Sequence, residues 1–180
     1  MNTALVLRIP EVEHVVSRWR TLHDPSAAEG MPAHVTLVYP FRAREEIDEE
    51  AEASLTYLFA QSAPFDLHFH ETRRFPVTSV LWLAPQNPAP IVSLVRALGL
   101  AFPEHLPYAG AHPDTVPHLT VANLKTRNAT VADLDRIERE FMGEAKAHLP
   151  LRARVTAATL FHKHQDAVWR EVKQFPLGKA

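Results

Sequence analysis

Two short segments of the sequence carry the same pair of residue types that can do acid–base chemistry. The first segment, 32–41, reads PAHVTLVYPF, and the second, 116–124, reads VPHLTVANL. Each begins an apolar run with a histidine and a threonine two positions apart. An imidazole titrates near neutral pH, and a hydroxyl group can donate a hydrogen bond to an anionic oxygen.

Both apolar runs are rich in β-branched residues, which favours β-strands. Side chains at positions i and i+2 of a strand lie on the same face. His34 and Thr36 are therefore expected to share one face, as are His118 and Thr120. The intervening residues should point into a core, and Tyr39 should lie on the face opposite His34 if its strand is regular.

Two such pairs in one groove would bring two imidazoles and two hydroxyl groups around a shared centre. One imidazole can act as a general base while the other acts as a general acid. The hydroxyl groups can hold phosphate oxygens in place. This set of groups suits the cleavage of a phosphodiester by in-line attack, without a metal and without a covalent intermediate.

The tripeptide alone is a weak signal, because a chain with 11 histidines contains it by chance. His70, Glu71 and Thr72 also form a His-x-Thr, but the residues RRF follow it instead of an apolar run. We interpret this third copy as a surface strand pair without a catalytic role.

Composition narrows the classes of function. The net charge of -2 offers no basic surface for tight nonspecific binding to duplex DNA, although one phosphate needs only a local pocket. The absence of cysteine excludes disulfides, zinc thiolate sites and a cysteine nucleophile, and it fits a reducing cytoplasm. No apolar segment approaches the roughly 20 residues of a membrane span, and the N-terminal residues indicate a first strand instead of a signal peptide.

Two histidine pairs, His68 with His70 and His162 with His164, each place two imidazoles on one strand face. Imidazole suits zinc, copper or nickel, so a metal-binding protein is a remaining alternative. The chain has no His-Glu-x-x-His helix motif, and we expect neither a metal nor another cofactor.

Hydrophobic periodicity predicts alternating strands and helices along the chain. Strands are expected at 3–9, 34–39, 65–75, 79–85, 118–124, 149–164 and 167–177. Helices are expected at 11–23, at 43–61, from 88 to about 102, and after 130, where Thr130 and Asp133 form a capping box. Residues 103–117 contain four prolines and no periodicity, so they form a long loop, which is a frequent location of function.

The two motifs belong to an internal repeat of strand, helix and two strands. His34 precedes Trp82 by 48 residues, and His118 precedes Trp169 by 51 residues. A duplication of this kind predicts an α+β fold with two pseudo-symmetric lobes of antiparallel sheet, helices outside and a central groove. We expect residues 1–180 to form a single bilobal domain that is monomeric.

In its paired motifs the chain resembles the 2H phosphoesterase superfamily, in particular its bacterial 2'-5' RNA ligase-like members. PAHVTLVYPF and VPHLTVA both match the family's paired motif, and the ending VWREVKQFPLG is similar to its closing strand. The resemblance implies a groove lined by His34, Thr36, His118 and Thr120. It also implies hydrolysis of a 2',3'-cyclic phosphodiester of a small nucleotide or RNA end, or reversible 2'-5' RNA joining, without a metal.

One position departs from the pattern of many RNA ligase-like members, which carry an arginine five residues after the second histidine. Here that residue is Asn123, which argues against strong RNA-joining activity. A protein that binds an RNA end or a cyclic nucleotide without turnover is another alternative. Tyr108, Trp82 and Phe41 are the aromatic residues that we expect to line the substrate groove.

Overall fold

Eight β-strands form one antiparallel sheet in the computed structural model, which describes residues 3–75, 78–105, 116–125 and 129–178. The strands are β1 (Thr3–Arg8), β2 (His34–Val38), β3 (Phe65–Arg74), β4 (Val80–Pro85), β5 (Leu119–Asn123), β6 (Leu151–Val155), β7 (Ala157–Lys163) and β8 (Trp169–Pro176). Each neighbouring pair in the sheet is antiparallel.

Five α-helices accompany these strands in the described ranges. They are α1 (Glu13–His23), α2 (Pro25–Ala28), α3 (Glu49–Ala60), α4 (Ala89–Ala101) and α5 (Val131–Ala145). None of the helices in this described part is long and apolar enough to cross a membrane. The capping box predicted for Thr130 and Asp133 is confirmed at the start of α5. The helix predicted for 43–61 is shorter, because Asp48 caps α3 by accepting a hydrogen bond from the backbone N–H of Ala51.

The strand order β6-β3-β4-β5-β2-β1-β7-β8 places the two motif strands, β2 and β5, side by side at the centre of the sheet. The sheet curls into a half-barrel, and the boundary between β2 and β5 relates two lobes of four strands each. The predicted α+β class with pseudo-symmetric antiparallel lobes is therefore confirmed.

The two halves of the sequence exchange strands between the lobes. Strand β3 of the first half pairs with β4 and β6, so it belongs to the lobe of β5. Strands β7 and β8 of the second half complete the lobe of β2. Residues 149–164, predicted as one strand, split into β6 and β7, which lie in different lobes. The sequence spacing matched Trp82 with Trp169 as equivalent residues of the two repeats. They are not equivalent, because Trp82 lies on β4, which adjoins the central strand β5, whereas Trp169 lies on the edge strand β8.

The helices cover one face of the sheet, and the main core lies between the helices and this face. Helix α1 packs on β5 and α4 packs on β2, so each central strand is covered by a helix from the other half of the chain. Alternate residues of β2 and β5 point into this core: Val35, Leu37, Leu119 and Val121 are all buried. Two smaller apolar clusters lie on the other face, and each belongs to one lobe.

A buried ion pair closes the segment that leads from α1 to β2. Arg20 and Asp24 are each 2% exposed, and their nearest nitrogen and oxygen atoms are 3.0 Å apart. Asp24 also accepts hydrogen bonds from the backbone N–H and the hydroxyl group of Ser26, and Asp24 thereby caps the N-terminus of α2. The pair therefore fixes the chain direction shortly before the first motif.

Replacing Asp24 by Ala should lower the free energy of unfolding by about 3–5 kcal/mol, because it leaves the Arg20 guanidinium buried without its partner. Urea denaturation measures this change. A matched control is Asp166→Ala, which breaks another Arg–Asp pair of the same sequence spacing whose side chains are 50% exposed; it should cost less than about 1 kcal/mol. Equal losses in the two variants would contradict the structural role of the buried pair.

Candidate active site

The two motifs meet through one backbone pairing at the centre of the sheet. Val35 of β2 pairs with Leu119 of β5, and both side chains are fully buried in the main core. Extending this antiparallel register by one residue in each direction places His34 opposite Thr120 and Thr36 opposite His118. The two imidazoles and two hydroxyl groups therefore lie together on the open face of the sheet, where all four residues are half-buried.

Both imidazoles are held in the same way by the backbone. Nδ1 of His34 lies 2.7 Å from the carbonyl oxygen of Pro32, and Nδ1 of His118 lies 2.8 Å from that of Val116. A carbonyl oxygen can only accept a hydrogen bond, so Nδ1 carries the proton in each ring. The neutral rings then have an unprotonated Nε2, which can accept a proton from a water molecule or a substrate.

Burial lowers the pKa of both histidines. For His34, desolvation is the largest cause and the positive charge of Arg20 is the second, and together they lower the pKa to about 4. For His118, desolvation again acts first and Lys125 adds to it, so its pKa also falls below the usual value. The hydrogen bonds to the carbonyl oxygens of Pro32 and Val116 oppose these shifts. Both imidazoles are therefore mainly neutral near pH 7 in the free protein.

Two equivalent β-bulges follow the two motifs and change which residues reach this face. In β2 the bulge lies against Leu5 and Val6, and in β5 it lies against Leu81 and Trp82. As a result Leu37 and Val38 both point into the core, as do Val121 and Ala122. After each bulge, odd-numbered and even-numbered residues of the strand therefore exchange the faces to which their side chains point.

The bulges return Tyr39 and Asn123 to the face of the histidines. The ring of Tyr39 packs edge-on against Trp169. Trp169 belongs to the apolar cluster on the open face, which also contains Val6, the strand partner of Thr36. Our expectation that Tyr39 lies opposite His34 is therefore wrong, because the strand is not regular. Asn123 occupies the matching position in the other lobe, where it pairs with Val80.

Aromatic rings form a wall beside His118. Trp82 pairs with Thr120 across β4 and β5, and its ring stacks on Phe75 with centroids 5.1 Å apart. Both rings contact the imidazole of His118, at 5.8 Å and 5.0 Å between centroids. The structure thus places Trp82 beside His118, with its side chain buried beneath the open face.

The other two aromatic residues expected in the groove have different outcomes. Phe41 is only 4% exposed and packs in the main core against Phe102, so it does not line the groove. The chain still pairs with β1 after β2, since the N–H of Phe41 donates to the carbonyl oxygen of Thr3, but the ring of Phe41 lies on the core side of the sheet. Tyr108 lies outside the described residues.

Arg8 is a site residue that the sequence analysis missed. It follows Ala4 and Val6 on the open face of β1 and pairs with His34 across β1 and β2. Its Nη1 lies 2.5 Å from a carboxylate oxygen of Glu171, whereas its buried Nε has no hydrogen-bond partner among the described residues. The strand alternation of β1 could have indicated it, but the sequence gives no sign that β1 adjoins β2.

The third His-x-Thr lies in β3 and does not form a comparable site. A bulge between Phe69 and Glu71 separates the two side chains. His70 is exposed and bonds to Gln86, whereas Thr72 points to the helical side and donates to Glu138. Within the described ranges, no group of three or more His, Cys, Asp or Glu residues is arranged to hold a metal ion.

Comparisons with known proteins agree with this architecture. Residues 9–167 match the family described as the 2'-5' RNA ligase superfamily. A protein of Bacillus cytotoxicus named as a phosphoesterase is 29% identical over 164 residues, which cover 89% of this chain and 87% of that protein.

Two solved structures share the fold at 18% identity. The protein TT0787 of Thermus thermophilus superposes with a TM-score of 0.67 over 100% of both chains. LigT of E. coli, crystallised with 3'-AMP, superposes with a TM-score of 0.63 over 99% of this chain and 98% of LigT.

The lowered pKa of His34 should make the stability of the protein depend on pH. As the pH falls below 6.5, the unfolded chain binds a proton at this histidine before the folded protein does. The free energy of unfolding should therefore decrease by about 3 kcal/mol between pH 6.5 and about pH 4. Urea denaturation at pH 7.0 and 4.5 measures it, with His34→Gln as the comparison. An identical pH dependence in the variant would contradict the shift, since His118 and the carboxylates are common to both proteins.

Proposed function

Because the chain belongs to the 2'-5' RNA ligase superfamily, we propose that it is a phosphodiesterase that hydrolyses 2',3'-cyclic phosphates of nucleotides or RNA ends. The observation that carries the proposal is the central pairing of β2 with β5. It puts His34, Thr36, His118 and Thr120 on one open face, with an unprotonated Nε2 on each neutral imidazole. His34 and His118 are the proposed catalytic residues.

The reaction needs one base and one acid on opposite sides of the phosphorus atom. The base takes a proton from a water molecule, whose oxygen forms the new bond to phosphorus. The bond from phosphorus to one ribose oxygen breaks, and the acid gives its proton to that oxygen. The product is a phosphate monoester on the other ribose oxygen. Two imidazoles on adjacent strands supply both groups, and no covalent intermediate is required.

We propose that the two threonines hold the phosphate between the histidines. Each hydroxyl group lies opposite the histidine of the other strand, so the four side chains surround one point. A hydroxyl group donates to a nonbridging phosphate oxygen and fixes the direction of attack. We therefore assign phosphate binding to Thr36 and Thr120, with the guanidinium of Arg8 beside His34 as a further source of positive charge.

A small nucleotide fits the surroundings of this centre. The exposed ring of Tyr39 on one side and the half-buried ring of Phe75, which stacks on the buried Trp82, on the other offer apolar surfaces for a base or ribose. The fold neighbour LigT is described in complexes with 3'-AMP, ATP and NADP+, which supports a nucleotide as the ligand class.

Joining of RNA ends is the competing reaction within the same family. The bulge directs Asn123 to the open face, at the position where many ligase-like members carry an arginine. A neutral amide there gives less attraction to a second phosphate-bearing strand than a guanidinium would. We therefore place hydrolysis first, and an assay with RNA carrying 2',3'-cyclic phosphate and 5'-hydroxyl ends distinguishes the two reactions.

Replacing either histidine should abolish most of the hydrolysis. We expect His34→Ala and His118→Ala each to lower kcat for a 2',3'-cyclic mononucleotide by ~10²-fold or more, because each removes a proton-transfer group. Product formation is followed by chromatography in excess chelator. His70→Ala is the matched control, since that histidine belongs to the third His-x-Thr and should retain full activity. Loss of wild-type turnover in chelator would contradict the metal-independent mechanism.

The pH dependence of kcat/KM should be bell-shaped and should lie on the acidic side. The active form has one imidazole neutral and the other protonated, and burial lowers the pKa of both. We therefore expect both apparent pKa values of the coupled pair in kcat/KM to lie below 6.5. The profile of kcat should move to higher pH, because a bound phosphate anion favours the protonated imidazole. A maximum of kcat/KM above pH 7 would contradict this assignment.

A further inference from the structure

The two histidines have matching ring contacts but different surroundings behind them. His34 Nδ1 donates to the carbonyl group of the peptide that joins Pro32 to Ala33. The N–H group of this same peptide donates to Oε1 of Glu13 at 2.5 Å. Glu13 is the first residue of α1 and is half-buried. One peptide group therefore connects a carboxylate to the imidazole of His34.

The geometry of a trans peptide makes this connection effective. The Pro32–Ala33 bond is not among the cis bonds of the described chain, so its N–H and C=O groups point in opposite directions. A carboxylate on the N–H side draws the amide proton and increases the negative charge on the carbonyl oxygen. Hydrogen bonds in such a chain strengthen one another, by roughly 10–30% per bond. The carbonyl oxygen of Pro32 thus becomes a better acceptor for Nδ1–H of His34.

His118 cannot have the same support. Its Nδ1 donates to the carbonyl oxygen of Val116, but the next residue in that peptide is Pro117. A proline nitrogen carries no hydrogen, so no carboxylate can attach to this peptide from the other end. The pseudo-symmetric site is therefore electrostatically asymmetric.

We propose that Glu13 is a positioning residue that acts through the Pro32–Ala33 peptide and makes His34 the general base, leaving His118 as the general acid. This assignment rests on the proposed function. Glu13 holds the ring with its proton on Nδ1, so the Nε2 lone pair is available for the attacking water. Once Nε2 accepts the proton, the carboxylate stabilises the positive imidazolium across the peptide.

Several other charged or titratable groups surround His34, and Arg20, Asp24 and His118 act on its pKa. Arg20 and Asp24 lie behind it at the end of α1, His118 faces it from the other motif, and Arg8 pairs with it from β1. The positive charge of Arg20 keeps the resting imidazole neutral, as a base requires. When His34 is protonated, the negative charge of Glu13 opposes the positive charge of Arg20. The imidazole ring can therefore keep the proton that it takes from the water molecule.

The central test is the charge-removing variant Glu13→Gln, whose amide oxygen can still accept from the N–H of Ala33. We expect the pH-independent kcat for a 2',3'-cyclic mononucleotide to fall about tenfold with KM changed less than about twofold. Imidazole ¹⁵N shifts from NMR titration should show a lower pKa for His34 and an unchanged one for His118. Glu13→Asp should restore part of the activity.

Glu11→Gln is the matched control on the same segment. The carboxylate of Glu11 also accepts a hydrogen bond from a backbone N–H, that of Arg154, but neither His34 nor His118 donates to the carbonyl oxygen of this peptide. It should leave both kcat and the titration of His34 unchanged. Equal effects of Glu11→Gln and Glu13→Gln would overturn the proposal. A higher kcat in Glu13→Gln would overturn the assignment of His34 as the base, because a less basic imidazole is a weaker base but a stronger acid.

Ala33→Pro tests the peptide connection directly, because it removes the N–H group and its ring turns the Glu13 carboxylate away from this peptide. Position 33 corresponds to Pro117 in the other lobe, so we expect the backbone at position 33 to accept a proline. We expect the same change in kcat and in the pKa of His34, with no further loss in the double variant with Glu13→Gln. Additive losses would overturn the proposal. If the wild-type protein hydrolyses no cyclic nucleotide, the proposed function fails, and the NMR comparison alone decides whether Glu13 acts on His34.

Discussion

The pairing of Val35 with Leu119 is the constraint on which the candidate site depends. In the described part of the sheet, this pairing joins the two lobes through β2 and β5. Because both side chains are buried, their neighbours must face away from the core. A slip of one residue in this register would turn a histidine into the apolar core, at the cost of burying an imidazole among aliphatic side chains. The same apolar contacts that hold the lobes together therefore also assemble the two histidines and two threonines of the candidate site.

The bulges show how the sheet extends the site beyond the paired motifs. Each central strand places two consecutive residues in the core directly after its threonine. This irregularity returns Tyr39 to the open face in one lobe and Asn123 in the other. The lobes are thus symmetric in backbone but different in chemistry, with an aromatic ring at this position in one lobe and an amide in the other. A symmetric frame of this kind suits the proposed substrate, since a ribose and its base lie on only one side of a cyclic phosphate.

The difference between the two histidines also originates outside the strands. Each ring donates to the carbonyl group two residues before it, yet Ala33 precedes one histidine and Pro117 precedes the other. Arg20 of α1 lowers the pKa of His34, and Glu13 of the same helix accepts a hydrogen bond from the peptide that contacts this ring. Acid and base catalysis need opposite protonation states at neighbouring positions, and similar rings can supply both only when their surroundings differ. The first helix provides that difference here.

The sequence by itself determined the alternation of His34 with Val35 and of His118 with Leu119, because strand periodicity depends only on local pattern. It also identified the duplication, the α+β class and most elements to within a few residues. Only the tertiary structure decided that the lobes exchange strands, that Phe41 is a core residue, and that Tyr39 faces the site. It likewise decided that Arg8 and Glu13 lie beside His34. These features depend on strand order, bulges and contacts between distant segments, which hydrophobic periodicity does not encode.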